Sequence, residues 1–304
     1  MKLSKLFNKK EFVITGEVGP PKGTHMSEVL KEARFLRPCV DAINVTDNQS
    51  AVMRLGSLVV SAKIKEQGVE PIYQLTCRDR NRIAIQSDLL SASAMGIENV
   101  LCLTGDHIQL GDHFDAKAVF DLDSVQLINV VRGLNEGHDM MGNELAGKTD
   151  FYIGAVVNPG ADPLELQVIK MEKKIEAGAQ FFQTQAVYDV SLFEKFIRMV
   201  EGFNVPIMVG IIPLKSPGMA RYMNQNVSGI QVPESMIKEI GSVDSNSRKK
   251  KSLEMTIKLI NELKDMCQGV HIMPLGWWDL IPYIVKEFKE ESKCYEETRK
   301  AIAS

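Results

Sequence analysis

The sequence predicts an α/β protein, a single (β/α)8 TIM barrel with extra helices between the seventh and eighth strands. Three observations carry this reading. Short runs of β-formers alternate with helical stretches about eight times, and the alternation keeps its character until late in the chain. No internal repeat and no low-complexity linker divides the 304 residues, so 1–304 reads as one domain. A composition of 44% hydrophobic and 25% charged residues is that of an ordinary globular chain with a sizeable core.

The first strand opens on 12–14, an unbroken row of β-formers of the kind a strand covered on both faces carries, and Pro20-Pro21 forbids its extension beyond about Glu17. Glu17 therefore stands where a buried strand ends, held by rigid backbone, partly desolvated and suited to proton transfer. A helix capped by Ser27 runs over 27–36, followed by a strand at 42–46. A helix through Leu58, Val59 and Ala62 stops before Gly68. The third strand is 71–77 (PIYQLTC); Asp79 is the expected cap of the next helix, which Gly96 ends. The fourth strand, 99–104 (NVLCLT), leads into a polar, glycine-containing loop over 105–115, a length that points to function.

A helix over about 123–134 precedes the fifth strand, 151–157. The next helix is the best punctuated, with Asp162 as cap, Pro163 in the first turn, Glu165 three residues on and Gly178 as stop. Its Leu164, Val168, Met171 and Ile175 form one buried stripe. The sixth strand is 180–185, a helix covers 192–200, and the seventh strand is 205–212. Two or three helices and the basic run 248–251, read as a solvated face, separate it from the eighth strand at 271–274. Trp277 enters a last helix.

A net charge of -3 and a pI near 6.0 give no general attraction to nucleic acid or acidic membranes. No apolar run approaches the length of a membrane span, and the basic N-terminus has no apolar signal core. The five cysteines are scattered and form no C-x-x-C pair, which favours a reducing cytoplasm. His107 and His113 share a loop while His25, His138 and His271 stand apart, so no metal site is expected. Cys77 and Cys102 sit in apolar strands as small core residues. Gly16, Gly19 and Gly23 have the wrong spacing for a dinucleotide fingerprint.

Barrel chemistry collects at the carboxyl ends of the strands. There the sequence puts Glu17; Thr46, Asp47 and Asn48; Gln74, Thr76 and Cys77; Thr104, Gly105 and Asp106; Asn158; and Gln183 and Gln185. The set is polar and poor in cations, and it suits hydrogen bonding to a flat heterocycle combined with acid catalysis. Gln183 and Gln185 share the barrel-facing parity.

Together GEVGPPKG, INVTDN, PIYQLTC, LCLTGDH, GAVVNP, AGAQFFQTQAVYD and VGIIPLKS resemble the methylenetetrahydrofolate reductase family, in register with successive strand ends. The resemblance implies a cytoplasmic, flavin-binding (β/α)8 barrel that reduces 5,10-methylenetetrahydrofolate to 5-methyltetrahydrofolate with hydride from reduced flavin. It implies Glu17 as general acid, Asp106 as a carboxylate near both flavin and folate, and Gln185 as a folate contact. Thr46, Gln74, Leu103, Thr104, Gly105, Asp106, Phe120, Asn158 and Lys174 are the implied cofactor contacts, with FAD favoured and FMN left open.

Departures from the family pattern matter too. Thr104 stands where bacterial relatives carry arginine, Gln74 where histidine is common, and Asn158 where an aromatic often packs. Pro217 and Gly218 replace a phenylalanine found in some NADH-using relatives, which motivates an electron-donating partner subunit in place of direct NAD(P)H; homo- and hetero-oligomers are both open. A second reading is a pterin-binding methyltransferase barrel that passes a methyl group to a corrinoid protein. A third is a non-catalytic scaffold, against which stand two partly buried charges, Glu17 and Asp106.

Overall fold

The computed structural model of the chain describes residues 3–9 and 11–288. Helix α1 (Leu3–Asn8) comes first. Then β1 (Val13–Val18), α2 (Ser27–Leu36), β2 (Ala42–Val45), α3 (Ser57–Glu66), β3 (Pro71–Thr76), α4 (Arg82–Ala94) and β4 (Asn99–Leu103) alternate. The alternation continues through α5 (Ser124–Glu136), β5 (Tyr152–Val157), α6 (Leu164–Ala177), β6 (Phe181–Ala186), α7 (Val190–Val200) and β7 (Ile207–Ile211). Three helices, α8 (Pro217–Asn226), α9 (Glu234–Gly241) and α10 (Arg248–Leu263), precede β8 (Gly269–Ile272), and α11 (Ile281–Lys286) follows. The eight strands pair in chain order, all parallel, and β8 closes on β1, giving the expected barrel.

The strand interiors are graded. Side chains alternate along each strand, so the inward set can be followed from one end of the barrel to the other. At the amino-terminal end Val13, Ala42, Ile72, Leu101, Tyr152, Phe181 and Met208 form a cluster of their own with Leu3, Leu6 and Phe7 of α1. Tyr152 stacks on Phe181 at 5.0 Å, and Phe7 lies 6.3 Å from Phe181. Gly154 makes room for that stack, since a Cβ there would fall 2.3 Å from Phe181 Cζ. Two residues further along the strands the inward set turns polar: Thr15, Asn44, Gln74, Gln183 and His271, all buried. Above them Glu17, Thr46 and Thr76 are also buried. The larger core lies outside the barrel, between strands and helices.

Several local expectations are corrected. Ser27 is the first residue of α2 and makes no cap; Met26 precedes it. Asn81, not Asp79, caps α4, accepting from the Ile83 and Ala84 amides, because Asp79 is held by Arg78. Asp162 lies outside α6, which starts after Pro163. Asp123 closes a capping box with Gln126 on α5. The basic run is not a plain solvated face, since Lys249 pairs with Asp279 and Lys251 with Glu239. Cys77 and Cys267 are buried, their thiols pushed up by burial to about 12 and about 11, as inert core residues should be.

Candidate active site

Glu17 ends the inward row of β1 and is 8% exposed. Its Oε2 lies 3.4 Å from His271 Nε2, a contact that β1–β8 pairing makes possible by setting Thr15 opposite His271. His271 Nδ1 is 3.0 Å from Thr15 Oγ1 and 3.2 Å from Asn44 Nδ2, and Asn44 Oδ1 accepts from Gln74 Nε2 at 3.3 Å. An amide nitrogen only donates, so Nδ1 accepts from Asn44 and Nε2 is left to face Glu17. Glu17, His271, Asn44 and Gln74 thus form one buried polar column across four strands, β1, β8, β2 and β3.

Gln74 is also a wall of a cleft of about 700 Å³ over the carboxyl ends of β3 to β6. Of the residues expected from the sequence, Gln74, Leu103, Thr104, Gly105, Asp106, Asn158, Lys174 and Gln185 line it. Three do not: Glu17 connects through the column, Thr46 is buried at the barrel top, and Phe120 is 36% exposed on the loop before α5. Asp106 is exposed, not partly buried as expected; its carboxylate accepts from the Ser50 amide at 3.1 Å. Gln185 folds its own Oε1 back onto the Ala186 amide, beside a register shift between β6 and β7. Asn158 donates to the Ser228 carbonyl.

The cleft is richer in cations than its strand ends. Lys170, Lys173 and Lys174 face it from α6, and Arg78 from beyond β3. Arg78 is 2% exposed and donates to Asp79 and to the carbonyls of Asn48 and Asp106, so it ties three loops together. Lys174 donates to the Val156 carbonyl at 2.6 Å, and burial, helped by the charge of Lys170, pulls its ammonium down to about 8. Asp47 is fixed under the cleft by the Thr76 amide and hydroxyl and by both terminal nitrogens of Arg80. Sequence reasoning missed Arg78, His271 and the two outer lysines. The 170, 173, 174 spacing puts three cations on one helix face, whereas nothing local to the sequence marks His271.

The loop from β4 to α5 is clamped against the loop after β2. Asp112 pairs with Lys22 and accepts from the Met53 amide, and Gly111 passes so close that a Cβ there would meet the Ala51 carbonyl oxygen at 1.9 Å. Asn48, Ser50 and Ala51 all hold positive φ, a strained stretch beside the cleft. Among the described residues no group of histidine, cysteine and carboxylate side chains is arranged to hold a metal, and no helix is long and apolar enough to cross a membrane.

These features define a (β/α)8 barrel with a polar site at the carboxyl ends of its strands, the usual location in barrel enzymes. The profile of the methylenetetrahydrofolate reductase family matches residues 2–289, and the chain belongs to that family. It is 28% identical over 219 residues to methylenetetrahydrofolate reductase 2 of Schizosaccharomyces pombe, covering 68% of this chain and 34% of that protein. With 5,10-methylenetetrahydrofolate reductase of Pectobacterium carotovorum subsp. carotovorum it shares 24% identity over 254 residues, 81% of this chain and 78% of that one. The chain thus spans about a third of the eukaryotic relative and most of the bacterial one. A solved structure from Clostridium thermocellum, described as an uncharacterized protein that binds two copies of 5-methyl-5,6,7,8-tetrahydrofolic acid, has the same fold. Its TM-score is 0.63 at 17% identity, over 95% of this chain and 97% of that one.

Proposed function

We propose that the chain is a flavin-dependent reductase of 5,10-methylenetetrahydrofolate, with Glu17 as general acid and 5-methyltetrahydrofolate as product. The observation that carries this reading is a buried carboxylate, backed by an imidazole and joined by a polar column to a cleft with a cationic wall, in a chain of this family. The residues fit a flavin. Thr46 Oγ1 at the barrel top and Gln183 Nε2 one layer below it are buried without hydrogen-bond partners, Leu103 and Val156 offer apolar surface, and three lysines of α6 suit a pyrophosphate. That count of cations favours FAD over FMN.

Bound there, the flavin supplies the hydride. Glu17 gives its proton to the amine nitrogen that leaves as the five-membered ring of the substrate opens, which converts the bridging methylene to an electrophilic iminium carbon. His271 keeps the carboxylate aimed, and Gln185 and Asp106 hydrogen-bond the pterin from β6 and from the rim. Pro217 and Gly218 at the start of α8 offer no aromatic surface for a nicotinamide, which supports electrons arriving through a partner subunit.

The test is anaerobic addition of 5-methyltetrahydrofolate to the flavin-saturated protein. Bleaching of the visible flavin band is expected. An unbleached flavin, or failure to bind one, would transfer the reading to the methyltransferase barrel.

A further inference from the structure

Arg78 lies two residues past Thr76, the last of β3, and is a buried wall of the cleft. A guanidinium has five N–H groups in a fixed fork, and four of them are used here. Nε and one proton of Nη2 go to the two oxygens of Asp79, both at 2.8 Å, a bidentate pair that neutralises the buried charge. Burial would raise the Asp79 carboxyl, but the hydrogen bonds and charge of Arg78, with Asn48 and Arg80, outweigh it and hold it below its usual range. The other Nη2 proton goes to the Asn48 carbonyl at 3.1 Å, and Nη1 donates to the Asp106 carbonyl at 3.3 Å. A lysine could match the charge but not the fork.

The main chain of Arg78 takes part as well. Its carbonyl accepts from the Val119 amide at 2.8 Å, so the long loop between β4 and α5 is fastened to Arg78 near its start, at Asp106, and near its end, at Val119. The Asp106 carboxylate in turn accepts from the amide of Ser50, two residues on from Asn48. Arg78, Asn48, Ser50 and Asp106 thus close a ring of contacts through two loops. Asn48 and Ser50 hold their positive φ inside that ring. The Ser50 bond is the one hydrogen bond of the exposed Asp106 carboxylate among the described residues. With Arg78 gone, Asp106 would keep that bond alone, to a strained stretch that had itself lost an anchor.

From this circuit we infer that Arg78 is a positioning residue for Asp106: it sets where the exposed carboxylate stands at the rim and holds it there for the pterin. The inference rests on the folate reading above, in which Asp106 hydrogen-bonds the pterin. Asp79 cancels the charge of Arg78, so the effect is one of geometry and reaches the ligand through Asp106. That route separates it from a general loosening of the rim.

The test is a double-mutant cycle read by equilibrium binding of 5-methyltetrahydrofolate to FAD-saturated protein, for the wild type, Arg78→Lys, Asp106→Ala and the two changes together. Asp106→Ala should weaken binding about tenfold or more, as loss of a charged hydrogen-bond partner does. Arg78→Lys, which keeps the charge and loses the fork, should weaken it by about three- to tenfold. In the Asp106→Ala background the same change should cost less than about twofold. Should Arg78→Lys fail to fold, Arg78→Gln/Asp79→Asn removes both charges together, leaves neither buried and unpaired, and is expected to show the same dependence on Asp106. Wild-type affinity in Arg78→Lys would overturn the inference. So would full affinity in Asp106→Ala, or an equal loss from Arg78→Lys in both backgrounds, which is the mark of a loosened rim. Failure of the wild type to bind FAD or the methyltetrahydrofolate is a different result, because it removes the folate reading first and the role of Arg78 with it.

Discussion

Glu17 and Lys174 are the residues whose surroundings make the sharpest claims. Glu17→Gln keeps the hydrogen-bonding shape toward His271 but holds no transferable proton. Methylenetetrahydrofolate turnover should fall by about 10²- to 10⁴-fold, with flavin binding and reduction retained; wild-type turnover would remove Glu17 from the acid role. For Lys174 the sign follows from burial, which lowers its ammonium from 10.5 to about 8. Below that pH it is charged in the free protein and meets an anion at no cost. Above it the free protein has lost the proton, and binding a phosphate must take it back. Flavin affinity should therefore decline as pH rises from about 8, by up to tenfold per pH unit. Lys174→Met should bind more weakly at pH 7 with the slope gone, as flavin fluorescence titrations across pH would reveal. Glu17 could be read from the sequence because a carboxylate between a β-run and a proline pair is unusual. His271 could not, because its meaning depends on β8 closing against β1, a contact between residues far apart in the chain.

At the scale of elements, the loop from β4 to α5 is specified by two glycines with different duties. Gly105 holds φ +96, and a Cβ there would lie 3.0 Å from Arg78 Cβ and 3.1 Å from Thr76 Cβ. Gly105→Ala should cost about 1–3 kcal/mol in denaturant unfolding and displace Arg78 from the carbonyl of Asp106. An unchanged midpoint would contradict that strain. Strands were legible within one or two residues because β-formers cluster, whereas the helices before β8 were legible only as two or three, without bounds. Caps were less so: Asp79 and Asn81 are equally good candidates in sequence, and only the Arg78 pair removes one of them. The cation wall escaped notice because its lysines belong to a helix, whereas barrel sites are read from strand ends.

At the scale of the whole molecule, α1 is part of the barrel core although it precedes every strand. Phe7→Ala should destabilise by about 3–5 kcal/mol and lower the thermal midpoint by several degrees, with little effect on flavin affinity at low temperature; calorimetry and a flavin titration would separate the two. If electrons come through a partner subunit, NADH and NADPH offered alone under anaerobic conditions should leave the flavin oxidised, and rapid reduction by either would sink that reading. The apolar packing of Phe7, Tyr152 and Phe181 has one more consequence. Among the described residues that cluster closes the amino-terminal side of the barrel beneath Glu17. If Glu17 is the acid of the proposed reaction, each proton it gives up has to be replaced through the opening by which the ligand arrives and departs, so a product slow to leave would also hold the acid discharged.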